Sequence, residues 1–243
     1  QKKMSDIRGN KMAMIFQEPM TSLNPAYSIG NQLMEAMLRH KKISRGEARD
    51  RAVELLQKVG ITDAENRLRQ FPHQLSGGLR QRVMIAMSLM CGPDLIIADE
   101  PTTALDVTIQ AQILSLLKEL QDDLGMGLLL ITHDMGVVAR MADRVAVMYA
   151  GRIVEEGTVH QVFDNPTHPY TKGLMSCIPV PGKVKRGDPL GTIPGIVPSL
   201  VGDFNGCRFR SRCPFSVDIC AIEEPVLIHT DLEKRHSSAC HIG

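Results

Sequence analysis

The apolar residues of the chain predict an alternation of strands and helices up to about Gly157. Short apolar runs typical of buried strands occupy Met12–Phe16, Leu95–Ala98, Leu128–Thr132 and Val145–Tyr149. Apolar residues recur at helical spacing in three longer segments, Ala48–Val59, Leu79–Met90 and Ile109–Leu124. Strands that alternate with helices of this length favour an α/β domain with a largely parallel sheet.

The character of the sequence changes after about Phe163. Prolines and glycines punctuate the stretch from Pro166 to Pro198, which predicts a loop-rich extension instead of further strand–helix units. We therefore expect two parts, with residues 1–160 forming the α/β domain and residues 161–243 forming an extension. Four of the six cysteines lie between Cys207 and Cys240, near the end of this second part.

Composition narrows the classes of function. The 243 residues carry 28 basic and 27 acidic side chains, so the bulk charge indicates neither nucleic acid nor an anionic membrane as a partner. Aromatic residues make up only 4% and tryptophan is absent, which leaves little material for stacking on bases. No apolar run approaches the length of a membrane-spanning helix and no signal-peptide pattern is visible, so we expect a cytosolic type of protein.

A helix that begins with glycines supplies the first candidate ligand site. Ser76, Gly77 and Gly78 open the helical segment that contains Gln81, and the two glycines allow a ligand to approach the backbone closely. The free amide groups and the positive end of such a helix favour an anion. Taken alone, the segment is equally explained as a glycine-containing N-cap without a ligand.

Polar side chains follow three of the predicted strands in the same relative position. Gln17 follows the first strand, Asp99 and Glu100 end the second, and His133 ends the third. Because ligands bind at the carboxyl ends of the strands in open α/β sheets, we expect these side chains to lie close together. There Asp99 can hold Mg²⁺ and Glu100 can polarise an attacking water. Each of these segments taken alone is also compatible with an ordinary polar loop.

Taken in order, these segments resemble the motifs of the ATPase subunit of ABC transporters. Gln17 matches the Q-loop, Ser76–Gln81 the signature motif, Asp99–Glu100 the Walker B strand, Asp106 the D-loop and His133 the H-loop. The resemblance extends from Ile15 to about Gly157. It implies a P-loop NTPase-like ABC ATPase fold with ATP and Mg²⁺ as ligands.

The resemblance also implies which residues act on the nucleotide bound by this subunit. Glu100 would be the general base, and His133 would contact the γ-phosphate. Asp99 and Gln17 would serve Mg²⁺. Gln17 and the helical segment after it would also couple the ATPase to a membrane-spanning partner.

A second group of residues would act on the nucleotide of a neighbouring subunit. The resemblance implies a head-to-tail dimer that closes around two nucleotides. Ser76, Gly77, Gly78 and Gln81 of the signature motif would face the ATP bound by the opposite subunit. Asp106 would cross the dimer interface.

One family motif, the phosphate-binding Walker A loop Gly-x-x-x-x-Gly-Lys-[Ser/Thr], does not occur in the 243 residues. In the family this loop lies upstream of the Q-loop, and its lysine and amides are the main donors to the β- and γ-phosphates. Since every later motif is present and the first residue is Gln1, we expect a sequence truncated at its N-terminus and not a degenerate one. The chain as written is expected not to hydrolyse ATP unaided.

Four cysteines near the end of the sequence form a candidate metal site. Cys207, Cys213, Cys220 and Cys240 lack the Cys-x₂₋₄-Cys spacing of usual zinc sites, but tetrahedral zinc still accepts four thiolates. An iron–sulfur cluster also takes four thiolates. Disulfides are disfavoured in a cytosolic type of chain. The spacing alone leaves zinc and iron–sulfur open.

The segment from His168 to His241 resembles the C-terminal extension of bacterial peptide and nickel transporter ATPases. His168-Pro169-Tyr170, Gly206-Cys207 and Arg212-Cys213-Pro214 carry this resemblance. It implies a [4Fe-4S] cluster on the four cysteines, with zinc as the alternative. It also implies a subunit that energises the import of dipeptides, oligopeptides or nickel across the bacterial inner membrane.

Such a subunit would be peripheral, on the cytoplasmic face of that membrane. Its partners would be a second ATPase subunit, identical or different, two transmembrane permease subunits and, indirectly, a solute-binding protein, but no nucleic acid. Two other hypotheses remain. One is an ABC-type ATPase of DNA repair or translation, which the neutral charge and the transporter-like tail disfavour. The other is an inactive subunit that contributes only its signature motif to an active neighbour.

Overall fold

The computed structural model describes residues 2–103, 105–178, 191–198, 205–231 and 236–242. Residues 179–190 of the proline-rich stretch therefore lie outside the described part. The chain divides into two compact units, Gln1–His133 and Asp134–Gly243. This division falls earlier than the change of composition near residue 160, because strand pairing joins residues 155–156 to residues 237–238.

The first unit is built on parallel strands β1 (Met12–Ile15), β2 (Leu95–Asp99) and β3 (Gly127–Ile131), in that order across the sheet. Both pairings are parallel, as the alternation of strands and helices predicted. Ala98 lies opposite Ile15 and Asp99 lies opposite Ile131, so the carboxyl ends of the strands meet at one edge. The helices of this unit are α1 (Lys2–Ile7), α2 (Pro19–Ser22), α3 (Ile29–His40), α4 (Arg45–Lys58), α5 (Ala64–Arg67), α6 (Gly77–Leu89) and α7 (Val107–Leu124).

Local sequence signals account for the bounds of α4. The Ser44 hydroxyl accepts the backbone N–H of Glu47 at 3.2 Å, and the Glu47 carboxylate accepts the N–H of Ser44 at 2.7 Å, which forms a capping box. Gly60, with a φ of 78°, follows the end of the helix. The predicted apolar face is fully buried and consists of Ala48, Ala52, Leu55, Leu56 and Val59.

The second unit contains an antiparallel sheet in the order β4 (Arg144–Tyr149), β5 (Arg152–Thr158), β7 (His236–Ser238) and β6 (Ile228–Asp231). Its helices are α8 (Met135–Met141), α9 (Val159–Asp164), α10 (Pro169–Ser176) and α11 (Ile219–Ile222). The expectation of a largely parallel sheet therefore holds only for the first unit. Within the loop-rich extension the structure also forms α10, α11 and the short strands β6 and β7, which the sequence did not predict individually.

Strand β7 escaped prediction because its sequence is polar. His236, Ser237 and Ser238 carry none of the apolar alternation that marks a strand, yet all three are buried. β7 lies between β5 and β6, which supply partners for two of these side chains. The Ser237 hydroxyl lies 2.9 Å from Nδ1 of His229 in β6. Glu155 of β5 is fully buried, and its Oε1 atom lies 2.7 Å from Nε2 of His236.

The carboxylate of Glu155 also fixes the turn before α10. Its Oε1 accepts the backbone N–H of Thr167 at 2.8 Å, and its Oε2 accepts that of His168 at 2.9 Å. A buried charge is tolerated when several donors satisfy its oxygens. Glu155 therefore joins β5, the start of α10 and β7 through one set of hydrogen bonds.

The apolar core of the second unit joins the β4–β5 hairpin to the cysteine-containing tail. Val147, Tyr149, Val154, Val162 and Phe209 form its buried cluster. The rings of Tyr149 and Phe209 meet edge to face with centroids 5.1 Å apart. Among the described residues, no helix combines the length and the hydropathy needed to cross a bilayer.

Candidate catalytic and nucleotide site

Glu100 lies one residue beyond the carboxyl end of β2. Its backbone N–H donates to the carbonyl of Ile131 at 2.9 Å, which extends the pairing with β3 by one residue. Its φ is 43°, in the left-handed region that is unfavourable for a residue with a side chain. Backbone strain of this kind is concentrated at functional sites.

Three side chains meet the carboxylate of Glu100. Nε2 of Gln17 donates to its Oε2 at 2.8 Å, and the hydroxyl of Thr103 donates to the same oxygen at 2.9 Å. Nδ1 of His133 lies 3.0 Å from its Oε1. The structure thus brings Gln17, Glu100 and His133 together at one edge of the sheet, where the sequence placed them.

These contacts favour the ionised form of Glu100. Its pKa lies below the ordinary value of 4.5, first because of the hydrogen bond with His133 and next because of that from Thr103, while burial opposes the shift. The side chain of Glu100 is 24% exposed and that of His133 is 77% exposed. Glu100 is therefore a carboxylate at neutral pH, an acceptor within reach of solvent.

Thr103 was missed in the sequence. Its backbone N–H donates to the carbonyl of Glu100 at 3.1 Å, which closes a turn that returns its hydroxyl to the carboxylate. Pro101 occupies the second position of this turn, where proline is favoured. A hydroxyl three residues after a strand-end carboxylate, with proline between them, was the available signal.

Asp99 and Gln17 offer oxygen ligands at the same edge. Asp99 is the last residue of β2 and is partly buried. Gln17 contacts Glu100 through its amide nitrogen, so the amide oxygen is the atom that it would present to a cation. Mg²⁺ is usually held by one or two carboxylates together with water and substrate phosphates. This donor set fits Mg²⁺ in type and number.

The signature segment forms the exposed start of α6. The Ser76 hydroxyl caps the helix by accepting the N–H of Leu79 at 3.4 Å. Ser76 and Gly77 are exposed, and a Cβ atom at Gly77 would meet none of the described atoms within 4 Å. A Cβ at Gly78 would lie 3.3 Å from Cγ2 of Ile109. Gly77 therefore leaves the helix start open to a ligand, while Gly78 packs against α7.

Gln81 differs from the expectation of direct contact with a nucleotide. Its side chain is 1% exposed, and its Nε2 donates to the carbonyl of Pro101 at 2.5 Å. The amide is thus buried one helical turn inside α6 and is used to hold the loop that follows Glu100. Its position indicates a structural link between the signature helix and that loop.

Asp106 is the N-cap of α7. Its carboxylate accepts the backbone N–H of Ile109 at 3.0 Å, and the residue is exposed. Capping the longest helix of the unit accounts for this aspartate locally. Its exposure also leaves it accessible to another subunit.

The four tail cysteines are neighbours, but they do not form a closed ligand set. The backbone N–H of Cys207 donates to the carbonyl of Cys220 at 2.8 Å. Burial raises the pKa of the Cys207 thiol, and the thiols of Cys220, Cys240 and Cys213 raise it further. Within the described residues, no group of three or more His, Cys, Asp or Glu side chains is placed to hold a metal ion. The donors thus fit zinc or a cubane cluster in type and number, but not in their present spacing.

Arginines beside the cysteines tie the tail to the rest of the second unit. Arg208 donates to the carbonyl of Ala150 at 2.6 Å and to Glu224 at 3.2 Å. Arg152 also donates to Glu224, through two bonds of 2.9 and 3.2 Å. Arg212 donates to the carbonyl of Ile193 at 2.8 Å. These contacts join the loops beside the cysteines to the turn between β4 and β5 and to residue 193.

Solved structures show the fold class. A dimeric post-hydrolysis structure of the ATP-binding cassette MJ0796 bound to ADP and Pi has a TM-score of 0.58 at 30% identity, over 65% of this chain and 67% of that one. The cbiO1 protein of Clostridium perfringens, part of the ABC transporter complex cbiONQ, has a TM-score of 0.57 at 31% identity, over 68% of this chain and 62% of that one. The fold is therefore that of an ABC ATPase.

Sequence comparisons define the family more narrowly. Residues 1–103 match the ABC transporter family, and residues 154–220 match the C-terminal region of oligopeptide/dipeptide transporters. A putative peptide import ATP-binding protein of Brucella melitensis is 56% identical over 98% of this chain and 71% of its own length. The dipeptide transport ATP-binding protein DppD of Escherichia coli is 50% identical over 99% of this chain and 72% of its own. The chain belongs to the ATP-binding subunits of peptide-import ABC transporters.

Proposed function

We propose that the protein is the ATP-hydrolysing subunit that energises import of dipeptides or oligopeptides across the bacterial inner membrane. The observation that carries this function is the carboxylate of Glu100, held at the strand edge by Gln17 and His133. The names of the relatives, which are peptide and dipeptide transport proteins, support the substrate class. Nickel is the alternative solute that this type of C-terminal extension implies.

Glu100 acts as the general base in this proposal. An ionised carboxylate accepts a proton from a water molecule as that water attacks the γ-phosphate. His133, exposed beside it, contacts the γ-phosphate. Asp99 and Gln17 hold Mg²⁺, which neutralises charge developing on the phosphates when it is bound.

The exposed signature segment acts on the nucleotide of a second ATPase subunit. Ser76 and Gly77 present a hydroxyl and free amides at the start of α6, which suits an anion. Asp106 reaches the same neighbour from the start of α7. The dimeric structure of the MJ0796 cassette supports a pair of ATPase subunits. Gln81 supports this surface from inside the protein.

The ATPase pair docks on two transmembrane permease subunits at the cytoplasmic face of the membrane, and a solute-binding protein delivers the substrate to them. The ATPase pair closes on ATP and reopens after hydrolysis, and this movement opens and closes the substrate path through the permease subunits. We place the boundary between the ATPase sequence and the oligopeptide-type extension at residue 160, which lies within the second compact unit of the fold.

A substitution of the carboxylate tests this function in the assembled transporter. Glu100→Gln removes the base while preserving size and is expected to lower ATP turnover and peptide uptake by about 100-fold or more. Glu119→Gln makes the same chemical change on the exposed side of α7 and should leave both rates unchanged. Undiminished turnover by the Glu100→Gln transporter would show that this site is silent and that the subunit serves only its neighbour.

The tail cysteines supply the second part of the proposal, a [4Fe-4S] cluster that stabilises the extension. Their four thiols match its donor set, and the extension matches the oligopeptide/dipeptide transporter C-terminal region. Burial raises the pKa of Cys207 and of Cys213, so a metal must displace protons when it binds.

Metal analysis and visible absorption of the anaerobically purified protein separate the possibilities. Iron with sulfide and a visible band are expected, and both should be lost in Cys207→Ser and Cys240→Ser. The control variants Cys91→Ser and Cys177→Ser change cysteines outside the Cys207–Cys240 segment and should keep the metal. Zinc in place of iron would identify the alternative, and no metal under anaerobic conditions would contradict both.

A further inference from the structure

The hydrogen bonds to Glu100 differ in how they are anchored. Gln17 and His133 reach the carboxylate from the ends of other strands, and both are exposed. Thr103 reaches it from the same turn, three residues away, and is half-buried. A threonine side chain is stiff because its branched Cβ restricts χ1. The bond from Thr103 is therefore the local and persistent one.

The two oxygens of the carboxylate are held by different donors. Oε2 accepts from both Gln17 and Thr103, at 2.8 and 2.9 Å, whereas Oε1 faces only the imidazole of His133 at 3.0 Å among the contacts described. When His133 turns to the γ-phosphate, it releases Oε1 of Glu100, whereas Gln17 can present its amide oxygen to a cation and keep its amide nitrogen on Oε2. Thr103 holds Oε2 from within the same turn, so Oε1 becomes available to a water while Oε2 stays in place.

We propose that Thr103 is a positioning residue for ATP hydrolysis, which fixes Oε2 of Glu100 so that Oε1 is aimed at the attacking water. This inference rests on the proposed role of Glu100 as the general base. In the step itself, the water O–H bond breaks, its proton passes to Oε1, and its oxygen bonds to the γ-phosphorus as the bond to the β-phosphate oxygen breaks.

Two features of the turn support this role. The backbone N–H of Thr103 donates to the carbonyl of Glu100, and its hydroxyl donates to the carboxylate of Glu100. Thr103 therefore restrains both the backbone and the side chain of Glu100. Glu100 itself has a left-handed φ of 43°, a conformation that persists only when its surroundings enforce it. The side chain at the strand end is thus constrained by its backbone and by one hydroxyl.

The split between kcat and KM gives a readout that a merely structural threonine would not produce. Thr103 contacts the proposed base and not the nucleotide in this proposal, so loss of its hydroxyl should lower kcat without raising KM.

The test uses Thr103→Val and Thr103→Ser in the assembled transporter. Valine keeps the shape and removes the hydroxyl, so we expect kcat for ATP to fall about tenfold with KM within about twofold of wild type. Serine restores the hydroxyl and should recover kcat. Thr62→Val, at an exposed position before α5, is the matched control and should behave as wild type.

Several results would overturn the inference. A wild-type kcat in Thr103→Val would do so, as would a loss that serine does not repair or that appears mainly in KM. If the valine variant fails to assemble, Thr103→Ala removes the hydroxyl without adding bulk and is judged by the same criteria. Glu100→Gln is measured in parallel. If it retains turnover, the proposed base itself is wrong; if it is inactive while Thr103→Val is normal, only the positioning role fails.

Discussion

Nδ1 of His133 lies 3.0 Å from Oε1 of Glu100. Glu100 directly follows β2, and His133 lies two residues beyond the end of β3, the parallel neighbour of β2. The pair is asymmetric, because the His133 side chain is 77% exposed whereas that of Glu100 is 24% exposed. A ligand at the strand edge can therefore displace the imidazole while the carboxylate stays in place. The contact also makes the ionisation of Glu100 depend on a residue from another strand.

Replacing His133 with alanine is expected to raise the pKa of Glu100, because the hydrogen bond with His133 is the largest effect lowering it. In the pH profile of ATP turnover by the assembled transporter, the fall in rate on the acidic side, here called the acidic limb, should then lie at higher pH in His133→Ala than in wild type. His160→Ala, on the exposed side of α9, is the control and should leave the profile unchanged. An acidic limb that stays in place in His133→Ala would contradict the coupling.

Replacing Gln81 with methionine is expected to destabilise the protein by about 1–3 kcal/mol. Methionine fills a similar volume, but it leaves the Pro101 carbonyl without the donor that Gln81 supplies. Chemical denaturation measures the free energy of unfolding. Gln57→Met, on the exposed side of α4, should change it by no more than about 0.5 kcal/mol. Equal stabilities for the two variants would refute the structural role of Gln81.

Replacing Gly206 with alanine is expected to cost about 3 kcal/mol or more. Its φ is 76°, and a Cβ atom there would lie 2.4 Å from the carbonyl oxygen of Cys220, so left-handed strain and overpacking add. Gly125→Ala isolates the first effect. Gly125 has a φ of 61°, and a Cβ atom there would meet none of the described atoms within 4 Å.

We expect Gly125→Ala to cost only about 1 kcal/mol. Thermal and chemical denaturation of both variants provide the comparison. A loss in Gly206→Ala no larger than that in Gly125→Ala would mean that the close approach to Cys220 is absent.

Acid should destabilise the second unit through His168. Burial lowers the pKa of His168 from its ordinary value of 6.5 to about 4, so the folded form holds the imidazole neutral. The stability that this provides is complete above pH 6.5 and is lost as the pH falls towards about 4. His168→Asn keeps an acceptor for the N–H of Tyr170, which His168 Nδ1 accepts at 3.0 Å.

The asparagine variant should therefore show a weaker fall in melting temperature than wild type between pH 6.5 and 4. His160→Asn, an exposed position on α9, should follow the wild-type curve. Parallel curves for wild type and His168→Asn would exclude this residue as a source of acid sensitivity.

Much of the first unit could be predicted because its signals are local. The capping box and apolar face of α4, the cap and glycines of α6, and the apolar run of β2 each act within a few residues. The carboxyl ends of parallel strands share one edge, so Gln17, Glu100 and His133 could be placed together without knowing any contact.

The remaining features depend on partners far away in the sequence. Strand β7 is polar, and its pairing with β5 and β6, together with the contact between His236 and Glu155, makes it a buried strand. From the sequence, Gln81 is expected to contact a ligand. In the structure its amide instead donates to the carbonyl of Pro101, which lies twenty positions away in the sequence. Thr103 is an exception, because the turn that returns its hydroxyl to Glu100 lies within four consecutive residues and was predictable from the sequence.

The buried carboxylate of Glu155 has a consequence for synthesis on the ribosome. Its imidazole partner lies 81 positions further along the polypeptide. At translation rates of about 5–20 residues per second, the nascent hairpin waits on the order of four to sixteen seconds before that histidine is made. During this interval Glu155 lacks the imidazole that contacts it in the folded protein, so the second unit completes its sheet only after residue 236 has emerged from the ribosome.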